Sequence, residues 1–166
     1  MLFNVGDFIV HPVYGVGHLV KIEERQFSKE AASLYYQISW PKRQVWIPVA
    51  AQKAGGLRLV TARRELDRYR TVLKGQPTLL SKNYYQRRQE LLNCLDQGSF
   101  QSVCEVVRDL TARSRHKRLS RTDGDTLRQT RQALCHEWAT AAGLSRTEAS
   151  QEIDALLLVT EPTSPA

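Results

Sequence analysis

The period of the hydrophobic pattern changes once along this chain, near residue 60, and that change limits the folds open to it. Before it, short runs rich in β-branched and aromatic residues alternate with turn residues. After it, apolar residues recur at helical spacing. A chain with this order reads as α+β, with the strands and the helices segregated into separate layers or domains.

The β region contains four recognisable runs. Asp7-Phe8-Ile9-Val10-His11 is stopped by Pro12. Gly15-Val16-Gly17-His18-Leu19-Val20-Lys21-Ile22 follows, then Leu34 to Trp40, then Gln44 to Val49. Pro41, Pro48 and the pair Gly55-Gly56 punctuate them. Several short strands at close intervals point to a small, strongly bent barrel of the SH3 or Tudor kind over residues 1–60. Gly15 and Gly17 are expected to supply a positive φ or a close backbone approach. Tyr14-Gly15-Val16-Gly17 is not a phosphate loop, because it lacks Lys-Ser/Thr and no helix follows it.

From Thr61 the texture is helical, and a bundle of five helices is expected over residues 61–160. The first spans Ala62 to Lys74 and ends at Gly75 and Pro77. The second opens at Ser81 as N-cap and runs to about Leu95, with Tyr84, Leu91, Leu92 and Leu95 inward. The third is capped by Ser99 and buries Val103, Val106, Val107 and Leu110. Ser120-Arg121-Thr122-Asp123 resembles a capping box and opens a long fourth helix, which Gly143 ends. Ser145-Arg146-Thr147-Glu148 is a second capping box, opening a helix with Ala149, Ile153, Leu156 and Leu157 inward. Residues 161–166 read as a disordered tail. The hinge falls near Leu59 to Ala62.

Charge narrows the function. The formal net charge is +7, which favours an anionic partner, nucleic acid foremost. The basic residues are clustered. Arg113, Arg115, Lys117, Arg118 and Arg121 follow one another with no acid between Leu110 and Thr122. Some of them suit the end of a helix, where cations favour the macrodipole, but the density points to phosphate contact. A second cluster, Lys82, Arg87 and Arg88, surrounds Tyr84 and Tyr85. There the cations can hold phosphates while a ring stacks on or wedges against a base step. Adjacent helix residues point about 100° apart, so one tyrosine can face the core while the other stays outside. No zinc finger, leucine zipper or helix-turn-helix signature is present, so contact is expected with the backbone and shape of DNA rather than base edges.

Other classes lose ground. Cys94, Cys104 and Cys135 are odd in number and unpaired in spacing, and His11, His18, His116 and His136 are scattered. Buried reduced thiols are expected, with no metal, no disulfide and no cofactor. No acid/base pair or activated nucleophile stands at diagnostic spacing, so an enzyme is not expected. No apolar run approaches the ~20 residues of a membrane span. The N-terminus lacks a signal-peptide pattern, so a cytoplasmic protein is expected.

Taken together, these motifs resemble the CarD/CdnL family of bacterial transcription regulators. The resemblance rests on Phe3-x-Val5-Gly6-Asp7-x-Ile9-Val10-His11-Pro12-x-x-Gly15, on Glu23-x-Arg25, on Glu105-Val106-Val107-Arg108-Asp109-Leu110 and on Leu119-Ser120. It covers about Leu2 to Leu158. It implies a Tudor-like module that binds the β subunit of bacterial RNA polymerase. It also implies a helical domain lying on promoter DNA at the upstream edge of the melted bubble. There a bulky aromatic, usually tryptophan, wedges into the minor groove beside the −10 element and stabilises the open complex. The wedge position aligns with Tyr84, and Tyr85 is the near alternative. Arg25 is the retained polymerase contact. Trp46 stands where some relatives carry a basic polymerase contact, and it is either an interface anchor or part of the barrel core. A monomer is expected. The alternative reading is a general nucleic-acid-binding protein that acts without polymerase.

Overall fold

The computed structural model describes residues 3–52 and 55–158. The chain divides into two compact units, residues 1–60 and residues 61–166.

Among the described residues of the first unit, five strands form one antiparallel sheet. They are β1 (Phe8–His11), β2 (Gly15–Arg25), β3 (Ser33–Trp40), β4 (Arg43–Pro48) and β5 (Arg58–Leu59), in the order β4-β3-β2-β1-β5. Among the described residues no ladder joins β4 to β5, so the sheet is open rather than a closed barrel, as in a Tudor-like domain. The fifth strand has only two residues, too short to leave a pattern in the sequence.

One face of the sheet carries the core. Ile9, Leu19, Tyr36, Ile38 and Trp40 pack there with Phe3 and Leu57, and Ile22, Val45 and Ile47 pack against them. The inward set of β2 changes parity along the strand, from Leu19 to Ile22. The cause is a bulge: Leu19 pairs with Ile38 and Lys21 pairs with Gln37, which leaves Val20 as the extra residue. Were β2 regular, with Val20 paired in line, Glu23 and Arg25 would point into the core, because a one-residue slip exchanges the two faces.

The two glycines of β2 do different jobs. Gly15 has φ +73°, which suits the tight turn after β1. Gly17 makes room: a Cβ there would lie 2.6 Å from Trp40 Cε2 and 2.7 Å from Ile38 Cγ2.

The second unit contains α1 (Leu66–Lys74), α2 (Tyr84–Asp96), α3 (Phe100–Ser114), α4 (Arg121–Ala142) and α5 (Arg146–Leu158). The main core joins α1, α3, α4 and α5. Its centre is Trp138, fully buried with Leu73, Val107, Leu134 and Ile153. The indole N–H of Trp138 donates to Glu152 Oε2 at 3.1 Å, and Arg70 Nε donates to Glu152 Oε1 at 2.7 Å. Helix α2 stands outside this core. It packs Leu91 against Val106 and Leu110, on another face of α3.

Most of the anticipated caps are present. The side chains of Ser99 and Ser120 accept from the backbone N–H groups of Ser102 and Asp123, Ser145 accepts from Glu148, and Gly143 ends α4 in the left-handed conformation. The start of α2 differs from expectation. Asn83, not Ser81, is the N-cap, and its side chain accepts from Gln86 N. Leu92 and Tyr84, expected inward, are 40% and 39% exposed, so the buried stripe of α2 is narrower than its sequence suggests. Among the cysteines Cys104 is buried, while Cys94 and Cys135 are half-buried and free.

Gly17→Ala should destabilise the protein by about 1–3 kcal/mol through overpacking against Trp40. Gly124 lies inside α4, and a Cβ there meets nothing within 4 Å. Gly124→Ala should therefore stabilise by about 0.4–1 kcal/mol. Urea unfolding of the two variants checks both signs.

Candidate protein- and nucleic-acid-binding surfaces

On the outer face of the sheet, the parity change in β2 brings Glu23 and Arg25 beside Trp46 of β4 and Tyr35 of β3. Trp46 lies between the inward residues Val45 and Ile47, so it belongs to this outer face and not to the core. Its indole N–H donates to Glu23 Oε1 at 3.1 Å. The Arg25 guanidinium sits 4.4 Å from the Trp46 ring centroid and 5.2 Å from that of Phe27, which meets Tyr35 edge-on. Glu23 also pairs with Lys21 at 2.7 Å and with Arg25 at 3.5 Å. The hydrogen bond from Lys21, then the one from Trp46, holds the Glu23 carboxyl below its ordinary range. The result is a half-exposed arginine set between aromatic rings and oriented by one carboxylate. Such a group is pre-organised for a protein interface, where arginine and tryptophan act as anchors.

The second surface lies where α2 and α4 begin. Arg87 is 5% exposed, and its Nε donates to Asp123 Oδ2 at 2.7 Å; Asp123 is itself 1% exposed. Arg87 Nη1 also donates to the carbonyls of Ser81 and Lys82, at 3.1 and 3.2 Å. This corrects the expectation that Arg87 meets phosphate: its guanidinium is committed inside the protein, because it is the tie that holds α2 to α4. The other oxygen, Asp123 Oδ1, has no hydrogen-bond partner. Arg88 Nη1 faces it at 4.0 Å and donates to Thr126 Oγ1 at 2.8 Å. Asp123 stands in the first turn of α4, where the helix macrodipole favours an anion.

Beside this tie stand the two tyrosines. Tyr84 O–H donates to Thr122 Oγ1 at 3.1 Å, and the Arg87 guanidinium lies 5.8 Å from the Tyr84 ring. Tyr85 meets Tyr84 edge-on at 5.3 Å and is 80% exposed. Both rings therefore reach solvent. Neither packs into the core, and Tyr84 is the one whose position is fixed.

The remaining cations fall into two groups. Arg115 donates through both Nη atoms to Leu157 O, each at 3.2 Å, so it closes the end of α5 and is a weaker phosphate candidate than expected. Lys82, Arg113, Lys117, Arg118 and Arg121 form no ion pair with a carboxylate among the described residues. Two clusters some 30 residues apart in the sequence thus meet in space. The Tyr84–Thr122 bond joins them on one side, and Lys82 lines a common cavity with Arg113 and Lys117 on the other.

The described residues hold no group of three or more His, Cys, Asp or Glu able to bind a metal, and no helix long and apolar enough to cross a membrane. Residues 3–61 match the CarD-like/TRCF RID domain, and residues 69–154 match the CarD C-terminal domain. The chain belongs to the CarD family. It is similar over 148 residues, at 26% identity, to a Bacillus subtilis (strain 168) protein named "Putative transcription factor YdeB"; the match spans 89% of this chain and 97% of that one. This CarD-family chain is accordingly a transcription regulator.

Asp123→Ala leaves Arg87 buried without its partner and should cost about 3–5 kcal/mol. Arg87→Met combined with Asp123→Leu should recover most of that loss, since an apolar pair of similar volume removes the uncompensated charge. Denaturant midpoints of the single and double variants measure the difference.

Proposed function

We propose that this CarD-family protein steadies the promoter open complex, holding RNA polymerase with its β unit and promoter DNA with its helical unit. The polymerase contact is the outer-face cluster of Arg25 and Trp46, docked on the β subunit. The DNA contact is the joint start of α2 and α4. Tyr84 lies against the minor groove at the upstream edge of the melted region, flanked by Tyr85. Lys82, Arg88, Arg113, Lys117, Arg118 and Arg121 serve the phosphates. The protein acts in the cytoplasm as a monomer.

The observation that carries this reading is the fixed exposed ring of Tyr84, hydrogen-bonded to Thr122, the neighbour in sequence of Arg121, which forms no ion pair among the described residues. A wedge must be accessible and must also be held, or its ordering on DNA consumes the binding energy. Tyrosine presents a flat amphipathic ring but less area than tryptophan.

The mechanism is a population shift. A protein that binds the open complex better than the closed one moves the equilibrium by its differential affinity and no further. About 1.4 kcal/mol changes the ratio tenfold, within reach of one wedged ring and a few phosphate contacts. Tethering to polymerase raises the effective concentration of the helical unit, so tight binding to free DNA is not required.

Promoter melting with purified polymerase tests the reading. Arg25→Glu should weaken polymerase binding at least about tenfold by reversing the charge set between the rings. Tyr84→Ala should shorten open-complex lifetime about tenfold with polymerase affinity unchanged. Thr122→Val, which removes only the tether, should give a smaller loss. Equal lifetimes for wild type and Tyr84→Ala would reject the wedge. Strong salt-dependent binding to free duplex, with no effect on melting, would instead favour a general nucleic-acid-binding protein.

A further inference from the structure

The cavity that joins Lys82 to Arg113 and Lys117 also has an apolar wall, which contact with phosphates does not require. Between α1 and α2 the chain runs from Gly75 to Asn83 without helix or strand. The strap is nonetheless pinned along its length. Thr78 N donates to Asp109 Oδ1 at 2.9 Å, and Arg87 Nη1 holds the Ser81 and Lys82 carbonyls at 3.1 and 3.2 Å. Between this strap and the C-terminal half of α3 lies a cavity of about 450 Å³. That volume is within the ~300–1,000 Å³ range of small-molecule sites.

The walls have two characters. Pro77, Leu79, Leu80 and Ala112 supply aliphatic surface, and Leu79 is 93% exposed with nothing packed over it. Lys82, Arg113, His116 and Lys117 line the same cavity. Asp109, the only acid lining it among the described residues, is already taken by Arg108 Nε at 2.8 Å and by Thr78 N. The excess positive charge therefore calls for an anion. No Phe, Tyr or Trp lines the space, so it is not built to stack a base, which needs an aromatic platform. Three lysine and arginine cations suit a dianionic head better than a single carboxylate.

We infer that this cavity binds a small amphiphile: one aliphatic chain ending in a phosphate monoester. The head lies among Lys82, Arg113 and Lys117, and the chain lies against Pro77, Leu79, Leu80 and Ala112. The same three cations belong to the phosphate-contact set proposed above, so ligand and DNA compete for them. Binding of the ligand alone requires neither polymerase nor DNA.

The test is a titration of the full chain, followed by amide chemical shifts, with decyl phosphate kept below its micelle concentration. Inorganic phosphate, decanol and decanoate are titrated in parallel. Decyl phosphate should saturate at one site, shift amides in segments 76–82 and 109–117, and bind at least about tenfold more tightly than each of the other three. Ala112→Trp, which fills the cavity, should weaken it about tenfold while binding to free duplex DNA is unchanged. Leu79→Ser, at a solvent-exposed position that folding tolerates, should weaken it in the same direction. Equal binding of inorganic phosphate would reduce the site to a cationic patch and overturn the inference. Equal binding of decanol or decanoate would overturn the phosphate head, and scattered, non-saturating shifts would overturn the site. Any of these results would leave the promoter-melting reading untouched, because that reading stands on Tyr84 and not on the cavity.

Discussion

The buried pair of Arg87 and Asp123 is the constraint on which the joint start of α2 and α4 depends. Helix α2 contributes nothing to the main core and is held by a small apolar contact of Leu91 with Val106 and Leu110. Something more must fix its first turn, because that turn carries the exposed tyrosines. The pair does this at a cost. Two charges leave water, and an apolar pair of the same shape would be as stable or more so. What the apolar pair would lack is direction. Arg87 reaches Asp123 of α4 and two carbonyls of the preceding strap, which sets the angle at which α2 begins. Ser120 caps α4 through Asp123 N, and Thr122 then holds Tyr84. Five hydrogen bonds thus convert the start of two helices into one presenting surface.

The β unit solves the analogous problem with one extra residue. The bulge at Val20 turns Ile22 inward and sends Glu23 and Arg25 out to meet Trp46. Backbone register, rather than any single contact, decides that this arginine is available to a partner. Glu23 then orients both the indole and the guanidinium, so the cluster is largely arranged in the free protein.

The order of strands and helices was legible because it rests on period and caps. Ser99, Ser120, Ser145 and Gly143 mark helix ends through local chemistry that sequence displays directly. The open sheet and its fifth strand were not legible, since Arg58–Leu59 pairs through backbone groups with no side-chain pattern to announce it. The site was legible in part. Charge density marked two segments, but it could not tell a cation free at the surface from one spent inside the protein. Arg87 and Arg115 look like their neighbours in sequence. Only the positions of Asp123 and of the Leu157 carbonyl, 36 and 42 residues away, separate them. One signal did exist: Asp123, an acid in a first helical turn, stood close after a run of unpaired cations. The place of Trp46 needed the parity of β4, and alternation alone, with Val45 and Ile47 apolar on either side, indicated the outer face.

The most direct test of the account is to locate the tyrosines on DNA inside the working complex. Tyr85 is exposed, so replacing it with the photocrosslinker p-benzoylphenylalanine leaves the Tyr84–Thr122 and Arg87–Asp123 links in place. Irradiation of the promoter open complex should join this position to DNA at the upstream edge of the melted region, and only when polymerase is present. Crosslinks confined to polymerase polypeptide, or spread evenly along the duplex, would contradict the account.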